Sequence, residues 1–450
     1  MQLRRLILDP RLDGVRLRFA VAVTVLMALL AYVALLDGVA SRQAAERAHG
    51  PSTAASPTGS ARAELAASTP ARNSYRETTS QSDWEAGAGR GTVVSSGSIR
   101  LATRAGSVSV GGRSYDWAAW QSPWVTPGHG FTELVPSWRA TTPAGTFLAI
   151  QVRAKTASGQ LTSWQSFGRW TLATSSDLRR SGGTQDDGLS TVATDTLRAA
   201  SGVVFSSYTL KVQLYRASGS TATPSVHSLG AVASQLASAV PPVSAPLLGA
   251  HALAVPAYSQ MIHRGQYPQY GGGGQAWCSP TSLAMVLGYY GVKPAASEYA
   301  WVSSSYADPW VDEVARRVFD FAYDGAGNWP FNTAYAGTRL THTAVTRFGS
   351  LRDVEKFIAA GIPVEVSISF SSGQLSGAPI SSTSGHLVVV TGFTASGNVL
   401  VNDPAASSDS TVKRTYDRAQ FEAAWLRRSH GLAYVMRDAA HAFPSGYGLS

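Results

Sequence analysis

Cysteine is almost absent from this chain: Cys278 is the single cysteine among 450 residues. One cysteine excludes an intramolecular disulfide and any metal site built from clustered cysteines. The folded cores must therefore be stable through packing alone. Charged residues are also scarce, at 14% of the chain, which is more typical of an exported protein with linkers than of a cytosolic one.

No long block of lysine or arginine accompanies the formal net charge of +9. The basic residues are mostly dispersed arginines, and no basic-aromatic motif accompanies them, so we expect no nucleic-acid partner. A general attraction to anionic polymers of a cell surface is compatible with this charge.

An uncharged apolar run covers residues 19–36 and follows a flank that contains five arginines. A run of about 18 apolar residues is just long enough to span a membrane and is long for the core of a signal peptide. The basic flank predicts a cytoplasmic N-terminus, with the rest of the chain outside the cytoplasm. We expect residues 1–40 to be a membrane anchor, and small residues at 38–40 leave a cleaved signal peptide open.

Composition divides the remainder into four segments. Residues 41–92 are rich in small and polar residues and predict a disordered linker. Residues 93–237 contain alternating stretches such as FLAIQVRA and YTLKVQLYR, which predict an all-β sandwich, jelly-roll or immunoglobulin-like. Residues 238–250 predict a second linker, and residues 251–437 an α+β domain.

Tryptophan is concentrated in the β segment. Exposed tryptophans could stack on the sugars of a cell-envelope polymer, but we predict that most of them fill the core of the sandwich. The six residues concerned are Trp117, Trp120, Trp124, Trp138, Trp164 and Trp170.

Helical and extended patterns are mixed in the last segment. Helix signals precede most strand signals, and residues 386–402 read as a β-hairpin. The predicted helices cover 280–290, 309–322, 350–360 and 417–427, and the predicted strands 363–370, 386–393, 398–402 and 432–436.

Cys278 lies in the stretch QAWCSPTSLAMVLGYYG. Ser279 is a suitable N-cap and Pro280 a suitable first helical residue, and apolar residues then recur on one helix face. The free N–H groups and the dipole at a helix N-terminus favour an anion, so this position predicts a lowered pKa for the thiol and a nucleophilic thiolate. The alternative is an inert, buried cysteine.

The predicted hairpin supplies partners for the thiol. His386 begins its first strand, and its second strand ends in Val401-Asn402-Asp403-Pro404, so His386 and Asp403 should be neighbours. A carboxylate beside an imidazole fixes the tautomer and stabilises the imidazolium. Asn402 is a rival for this role, and alternation allows only one of the two to face His386.

Four motifs in order carry a family resemblance: VPAYSQ, CSPTSLAMVLGYYG, GHLVVVTGF and VNDP. Together they resemble bacteriocin-processing (double-glycine leader) peptidase-like cysteine peptidases, which have a papain-like fold. The resemblance covers about residues 250–437, under half of the chain. It implies the papain-like fold for the α+β segment. With the segments predicted above, the fold has three parts: an N-terminal transmembrane or signal helix, an all-β sandwich and a papain-like α+β peptidase domain.

The resemblance also implies roles for four residues. Cys278 would be the nucleophile, His386 the general base and acid, Asp403 the orienting carboxylate and Gln260 the oxyanion-hole donor. The chain departs from the family in two places: Ser279 stands where many members have glycine, and the glycine-containing segment before Cys278 is long. The second departure makes Gln275 a rival of Gln260.

The sequence therefore predicts an extracytoplasmic cysteine peptidase that acts on a peptide or protein substrate and needs no cofactor or metal. Two alternatives stay open: a cell-wall peptide hydrolase or acyl transferase on the same triad, and a non-catalytic envelope-binding or adhesion protein. We expect His263, His342 and His430 to be surface or packing residues without comparable partners.

Overall fold

The computed structural model describes residues 71–449. The apolar run at 19–36 and most of the first predicted linker lie outside these residues. Between residues 71 and 449, no helix is both long enough and apolar enough to cross a membrane.

An all-β region comes first. Alternation of apolar and polar side chains along its strands buries one face of each strand and leaves the other half-exposed, as in the eleven-residue strand Thr146–Thr156. The region holds one short helix, α1 (Gln81–Glu85), and fourteen described strands. These are β1 (Arg72–Thr78), β2 (Ala88–Arg90), β3 (Thr92–Ser95), β4 (Ser98–Leu101), β5 (Gly106–Val110), β6 (Arg113–Gln121), β7 (Glu133–Thr141), β8 (Thr146–Thr156), β9 (Gln165–Trp170), β10 (Gln185–Asp186), β11 (Ser190–Ala193), β12 (Thr196–Ala199), β13 (Phe205–Ala217) and β14 (Ser225–Gln235).

These strands form two antiparallel sheets. The first has the order β10-β11-β12-β7-β14-β4-β3, with β1 also paired to β14, and the second has the order β2-β6-β13-β8-β9, with β5 also paired to β6. Side chains from both sheets meet in one hydrophobic core, which contains Trp138 and Leu229 from the first sheet and Ile150 and Val212 from the second. The burial of these faces stabilises the region.

The tryptophans divide between the core and the surface. Trp120, Trp138 and Trp170 are buried in the shared core, so the core prediction is right for half of the six. The other three are partly exposed and carry cations over their rings; they are Trp117, Trp124 and Trp164.

The β region begins earlier than residue 93. Strand β1, helix α1 and strand β2 lie within the last part of the predicted linker, and β1 pairs with β14 along its whole length. The linker prediction was wrong for residues 72–90 because Tyr75 and Trp84 bury their rings in the two hydrophobic cores. Burial of two large aromatics and pairing of β1 with β14 both hold this segment in the fold.

A mixed α+β region follows. Its helices are α2 (Cys278–Tyr289), α3 (Pro309–Val318), α4 (Trp329–Ala336), α5 (Leu351–Ala359) and α6 (Arg418–Leu426), with short 3-10 turns at Gln260–His263, Gly274–Ala276 and Asp409–Thr411. Its strands are β15 (His251–Ala252), β16 (His342–Arg347), β17 (Val364–Phe370), β18 (Thr383–Phe393), β19 (Val399–Asn402), β20 (Lys413–Tyr416) and β21 (Leu432–Arg437). They form a third antiparallel sheet of order β16-β21-β17-β18-β19-β20, with β15 paired to β18.

The four predicted helices and four predicted strands of this region are all present, with shifted ends. Helix α4 and the strands β15, β16 and β20 were not predicted, because each is short and its apolar residues do not show a clear period. The helix predicted over 309–322 ends at Val318. Asp320 lies beyond the end of the helix. It forms a β-bridge with Gly325, and its carboxylate accepts a hydrogen bond from the backbone N–H of Ser181.

The β region and the mixed region belong to one compact unit. Arg179 of the β region is fully buried and donates hydrogen bonds to the carbonyl oxygens of Arg316 (2.5 Å) and Phe319 (2.9 Å). Arg347 of the mixed region forms an ion pair of 2.6 Å with Glu133 of the β region. Buried polar contacts of this kind fix the two regions against each other.

The segment predicted as a second linker has no helix or strand between Gln235 and His251. It is nevertheless held closely by the mixed region. Arg418 donates to the carbonyl oxygen of Ser244 at 2.7 Å, and Glu422 and Glu355 accept the backbone N–H groups of Ser244 and Leu247. The segment is therefore a packed part of the fold.

Candidate active site

Helix α2 places Cys278 at its first residue, after Trp277. The prediction that Ser279 is the N-cap was wrong: the Ser279 hydroxyl lies 3.2 Å from the Tyr434 hydroxyl and 3.4 Å from a Glu365 oxygen. In the part of the chain that the structure describes, no side chain caps the helix. The N–H groups at the helix start are therefore free to act on the thiol and on a ligand beside it.

The Cys278 thiol is half-buried and contacts the His386 ring. Burial would raise the pKa of the thiol, but a hydrogen bond and the charge of His386 outweigh burial, with smaller help from the backbone of Leu387 and Ser279. The net result is a pKa below the ordinary value. This direction agrees with the thiolate expected from the sequence.

His386 and Asp403 form a buried pair, with 2.7 Å between His386 Nε2 and Asp403 Oδ1. His386 lies on β18, and Asp403 follows β19 directly. Because Nε2 faces Asp403, Nδ1 is the ring nitrogen left for the thiol. Burial opposes the charge on the ring, but Asp403 and Cys278 together raise the pKa of His386 to about 10.

Asn402 points away from this pair. Its Nδ2 donates to the carbonyl oxygen of Pro256 at 2.9 Å, and its side chain is buried. Of the two rivals, Asp403 is therefore the residue that the structure places at the imidazole. The alternation of side chains along β19 explains the choice, since adjacent residues face opposite sides of a sheet.

Gln260 lines the same cleft as Cys278 and His386. Its Nε2 donates to the carbonyl oxygen of Gln275 at 2.8 Å, and its backbone N–H donates to Pro404 beside Asp403. The rival Gln275 is exposed, and both ends of its amide are bonded within its own loop, to Gly265 and Gly272. Each amide nitrogen keeps a second N–H, and both side chains line the cleft. Gln260 differs from Gln275 in that it is buried and that its backbone bonds Pro404 beside Asp403.

The cleft around these residues has a volume of about 890 Å³. Helix α2 and strand β18 form its floor, and a loop that carries the half-exposed Tyr323 forms one wall. The β region contributes Arg198 to the wall. A pocket of this size accommodates several residues of an extended peptide.

Two residues near the site were not foreseen. Tyr416 on β20 donates its hydroxyl to Asp403 Oδ2 at 2.7 Å and so orients the carboxylate from the other side. Glu365 on β17 is fully buried close to Cys278, and burial raises its pKa well above the ordinary value. No local motif marks either residue, since both reach the site through pairing of distant strands.

His263 also differs from expectation. It is buried and lies 3.0 Å from Asp312 Oδ2, so the prediction that it has no carboxylate partner was wrong. His342 and His430 are half-buried without an ion pair to a carboxylate among residues 71–449. Within the same residues, no three potential metal ligands are grouped so that they could hold an ion.

Taken together, the geometry provides a thiol with a lowered pKa, a cationic imidazole that can give and take a proton, a buried carboxylate that stabilises the imidazolium, and amide donors beside the thiol. Such a set can attack a carbonyl carbon, hold a developing oxyanion and protonate a leaving group.

Comparisons with known proteins agree with this chemistry. Residues 74–234 match a family model described as "Peptidase C39 N-terminal domain", and residues 252–432 match one described as "Peptidase_C39 like family". No curated protein matches the chain. A solved chain entitled "Structure of infectious bursal disease virus Gx strain" aligns at 15% identity over 37% of this chain and 32% of its own, with a TM-score of 0.16, and carries no argument about the fold. The resemblance seen in the sequence is confirmed by the two family matches.

Proposed function

This chain is a C39-type cysteine peptidase, and we propose that it hydrolyses peptide bonds through Cys278, His386 and Asp403, with Gln260 as oxyanion donor. The observation that carries the proposal is the continuous chain of contacts from the Cys278 thiol through His386 to the buried Asp403. The lowered pKa of Cys278 and the raised pKa of His386 support a thiolate and an imidazolium as the resting pair.

In the first half of the proposed reaction, the Cys278 thiolate attacks the scissile carbonyl carbon and a carbon–sulfur bond forms. The carbonyl oxygen becomes an oxyanion and accepts hydrogen bonds from Gln260 Nε2 and the backbone N–H of Cys278. The carbon–nitrogen bond then breaks, and the imidazolium of His386 gives its proton to the departing amine. The product is a thioester and a free amine.

In the second half, His386 is neutral and accepts a proton from water as the water oxygen attacks the thioester carbon. The carbon–sulfur bond breaks, the thiolate leaves, and the imidazolium is restored. Asp403 stays ionised throughout, since its role is to orient the ring and to stabilise its positive charge. Tyr416 holds the second carboxylate oxygen and so fixes the position of Asp403.

Peptide turnover by the wild type and by Cys278→Ala tests this function. We expect cleavage of an unstructured protein substrate by the wild type, detected by mass spectrometry, and none by the variant. A thiol-directed electrophile should label the wild type once. Equal turnover by the variant, or a wild type that neither cleaves nor labels, contradicts the proposal.

We further propose that the mixed region has the papain-like fold and that the two sheets of the β region form a sandwich. Supporting the first is the order of a nucleophile at the start of a helix, followed by histidine and aspartate on an antiparallel sheet. Supporting the second is the hydrophobic core shared by the two sheets.

The location outside the cytoplasm stays a proposal and rests on the sequence of residues 1–40. A fusion of residues 1–70 to alkaline phosphatase, which is active only outside the cytoplasm, tests it. Phosphatase activity supports an extracytoplasmic enzyme, held by or released from the membrane, and an inactive but intact fusion contradicts it.

An accessory role of the β region in binding an anionic cell-envelope polymer is favoured by one observation. Two cations lie over the Trp164 ring: Lys211 Nζ is 3.9 Å and Arg153 Cζ 5.2 Å from the ring centroid. Half-exposed aromatic rings beside cations suit the sugar rings and acidic groups of such a polymer. Tryptophan fluorescence with polygalacturonate and neutral dextran, in the wild type and in Trp164→Ala, tests this role against Leu161→Ala as control. Equal responses to both polymers would exclude it.

A further inference from the structure

The walls of the active-site cleft carry an excess of positive charge. A second cavity of about 330 Å³ shares Ser369, Thr383, Ser384 and Arg428 with the cleft, so the two are continuous. The side chains of both cavities include three arginines and one carboxylate; these are Arg198, Arg427, Arg428 and Asp324. Low-dielectric walls with one sign of charge concentrate a substrate of opposite sign.

Arg198 is a fixed donor in this wall. Its Nε lies 3.1 Å from Glu133 Oε1, while its side chain stays 54% exposed. Glu133 is shared, because its other oxygen pairs with the buried Arg347 at 2.6 Å. The single negative charge of Glu133 is thus shared by two guanidinium groups. The terminal nitrogens of Arg198 keep N–H groups available to a ligand in the cleft.

Arg428 lines the same cleft as Arg198. The carbonyl oxygen of the next residue, Ser429, accepts a hydrogen bond from Arg347 Nε at 3.3 Å, and Arg347 pairs with Glu133, the carboxylate that Arg198 contacts. Within residues 71–449, neither Arg428 nor its neighbour Arg427 has an ion-pair partner. Among residues 71–449, Asp324 is the single carboxylate in the lining of the cleft. It belongs to a different loop, which packs against Gly271.

We propose that Arg198 of the β region and Arg428 of the mixed region form a carboxylate subsite, which selects peptides with a negative charge near the scissile bond. The inference rests on the proposed peptidase function and deepens it. Guanidinium groups match the planar geometry of a carboxylate and are not deprotonated at working pH. The β region is then a specificity element of the enzyme, because it supplies half of the subsite.

Paired peptides test the subsite. The set has one fluorogenic peptide of neutral sequence in which each position in turn is Glu or Gln, and a second pair that ends in a free carboxylate or an amide. For the wild type we expect kcat/KM to be about tenfold to a hundredfold higher for the charged member at one position, the range of a charge-assisted hydrogen bond. The position identifies whether a side chain or the chain terminus supplies the carboxylate.

Substitutions of the two arginines then test whether they cause the preference for the charged peptide. In Arg198→Gln and in Arg428→Gln, the ratio between the charged and the neutral member should fall toward one, mainly through KM. Arg100→Gln removes an exposed arginine of the same β region away from the cleft, and should keep both the activity and the ratio. A ratio near one in the wild type, or a ratio unchanged in both cleft variants, overturns the subsite.

A failure of the peptidase function would be recognised separately. If no peptide is cleaved, binding of the Glu and Gln members to Cys278→Ala is measured by fluorescence anisotropy. Tighter binding of the Glu member that is lost on the additional Arg198→Gln change supports the subsite even then, and equal binding of the two members overturns it.

Discussion

The imidazole of His386 lies between two groups that favour its charged form. Asp403 accepts one ring N–H, and the Cys278 thiolate benefits from the charge at the other side. The ring is also nearly inaccessible to solvent, so its charge is screened mainly by these two neighbours. The proton on this ring is therefore the variable that sets the reactivity of the thiol.

The rate of Cys278 alkylation should report this coupling as a function of pH. In the wild type the thiolate forms below the ordinary thiol value of 9.0, and the imidazolium is lost only near a pH of about 10. As pH increases, peptidase activity should therefore rise when the thiolate forms and fall when the imidazolium is lost. In His386→Ala the thiol is still buried but lacks the charge that opposed burial, so its apparent pKa should rise.

The same pH dependence of alkylation and activity tests how Asp403 contributes to the charge of the His386 ring. Asp403→Asn should move the alkaline limb to lower pH, because the ring loses the carboxylate that raises its pKa. Asn402→Ala is the adjacent control: it should leave both limbs in place and lower only the stability, since Asn402 contacts Pro256 rather than the ring. Unchanged alkylation curves in His386→Ala and Asp403→Asn would contradict the ion pair.

Glu365 should behave as a neutral carboxyl group behind the nucleophile. Its folded pKa lies above its ordinary value of 4.5 because it is buried, so the folded state loses stability relative to the unfolded chain as pH rises above about 4.5. Glu365→Gln removes this loss. We expect the variant to melt above the wild type at pH 7 and close to it at pH 4, measured by circular dichroism; a lower melting temperature at pH 7 would contradict it.

At the scale of elements, helix α6 holds the segment before the mixed region. Arg418, at the start of α6, donates to both oxygens of the fully buried Glu355 on α5 and to Ser244. Removing one member of a buried pair leaves the other unpaired in the interior. This contact joins two helices and a strandless segment into one unit.

Arg418→Met should accordingly lower the free energy of unfolding by about 3 kcal/mol or more, since Glu355 is left without its cation. Urea unfolding at 25 °C measures this. Arg352→Met is the matched control, because Arg352 also contacts the same segment through Ala245 but is exposed; it should cost under about 0.5 kcal/mol. Equal losses of unfolding free energy in the two variants would contradict a stabilising role of the buried Arg418–Glu355 pair.

At the scale of the whole molecule, the two regions share their interiors. Phe331 and Ala334 of helix α4 belong to the core of the β region, while Tyr75, Val135 and Val232 of the β region belong to the core of the mixed region. Separation would expose these apolar side chains to water. The β region and the mixed region are separate in the sequence, but each depends on the other for its stability.

Residues 71–449 should consequently unfold in one cooperative transition. We expect a single calorimetric peak, and we expect residues 71–237 expressed alone to bind a hydrophobic dye. Arg179→Ala, which removes two hydrogen bonds across the regions, should lower that single peak without splitting it. Two resolved peaks in the wild type would identify independent domains instead.

Local sequence patterns predicted some elements of the fold and some residues of the candidate site, but not all of them. Helix α2 and the β18–β19 hairpin follow from apolar periodicity, and the hairpin alone brought Asp403 to His386. Gln260 came only from resemblance. Tyr416, Glu365 and Arg198 have no local signature, because their positions depend on which distant strands pair and on how the two regions pack.

The single cysteine has a consequence for how this protein tolerates peroxide. A low-pKa thiolate that lines an open cleft, as Cys278 does, can be oxidised to a sulfenic acid. Many redox-tolerant enzymes close that acid into a disulfide with a second cysteine, but this chain has none. Brief oxidation should thus be reversible only by a thiol from outside, and prolonged oxidation should continue to the sulfinic acid and inactivate the protein permanently.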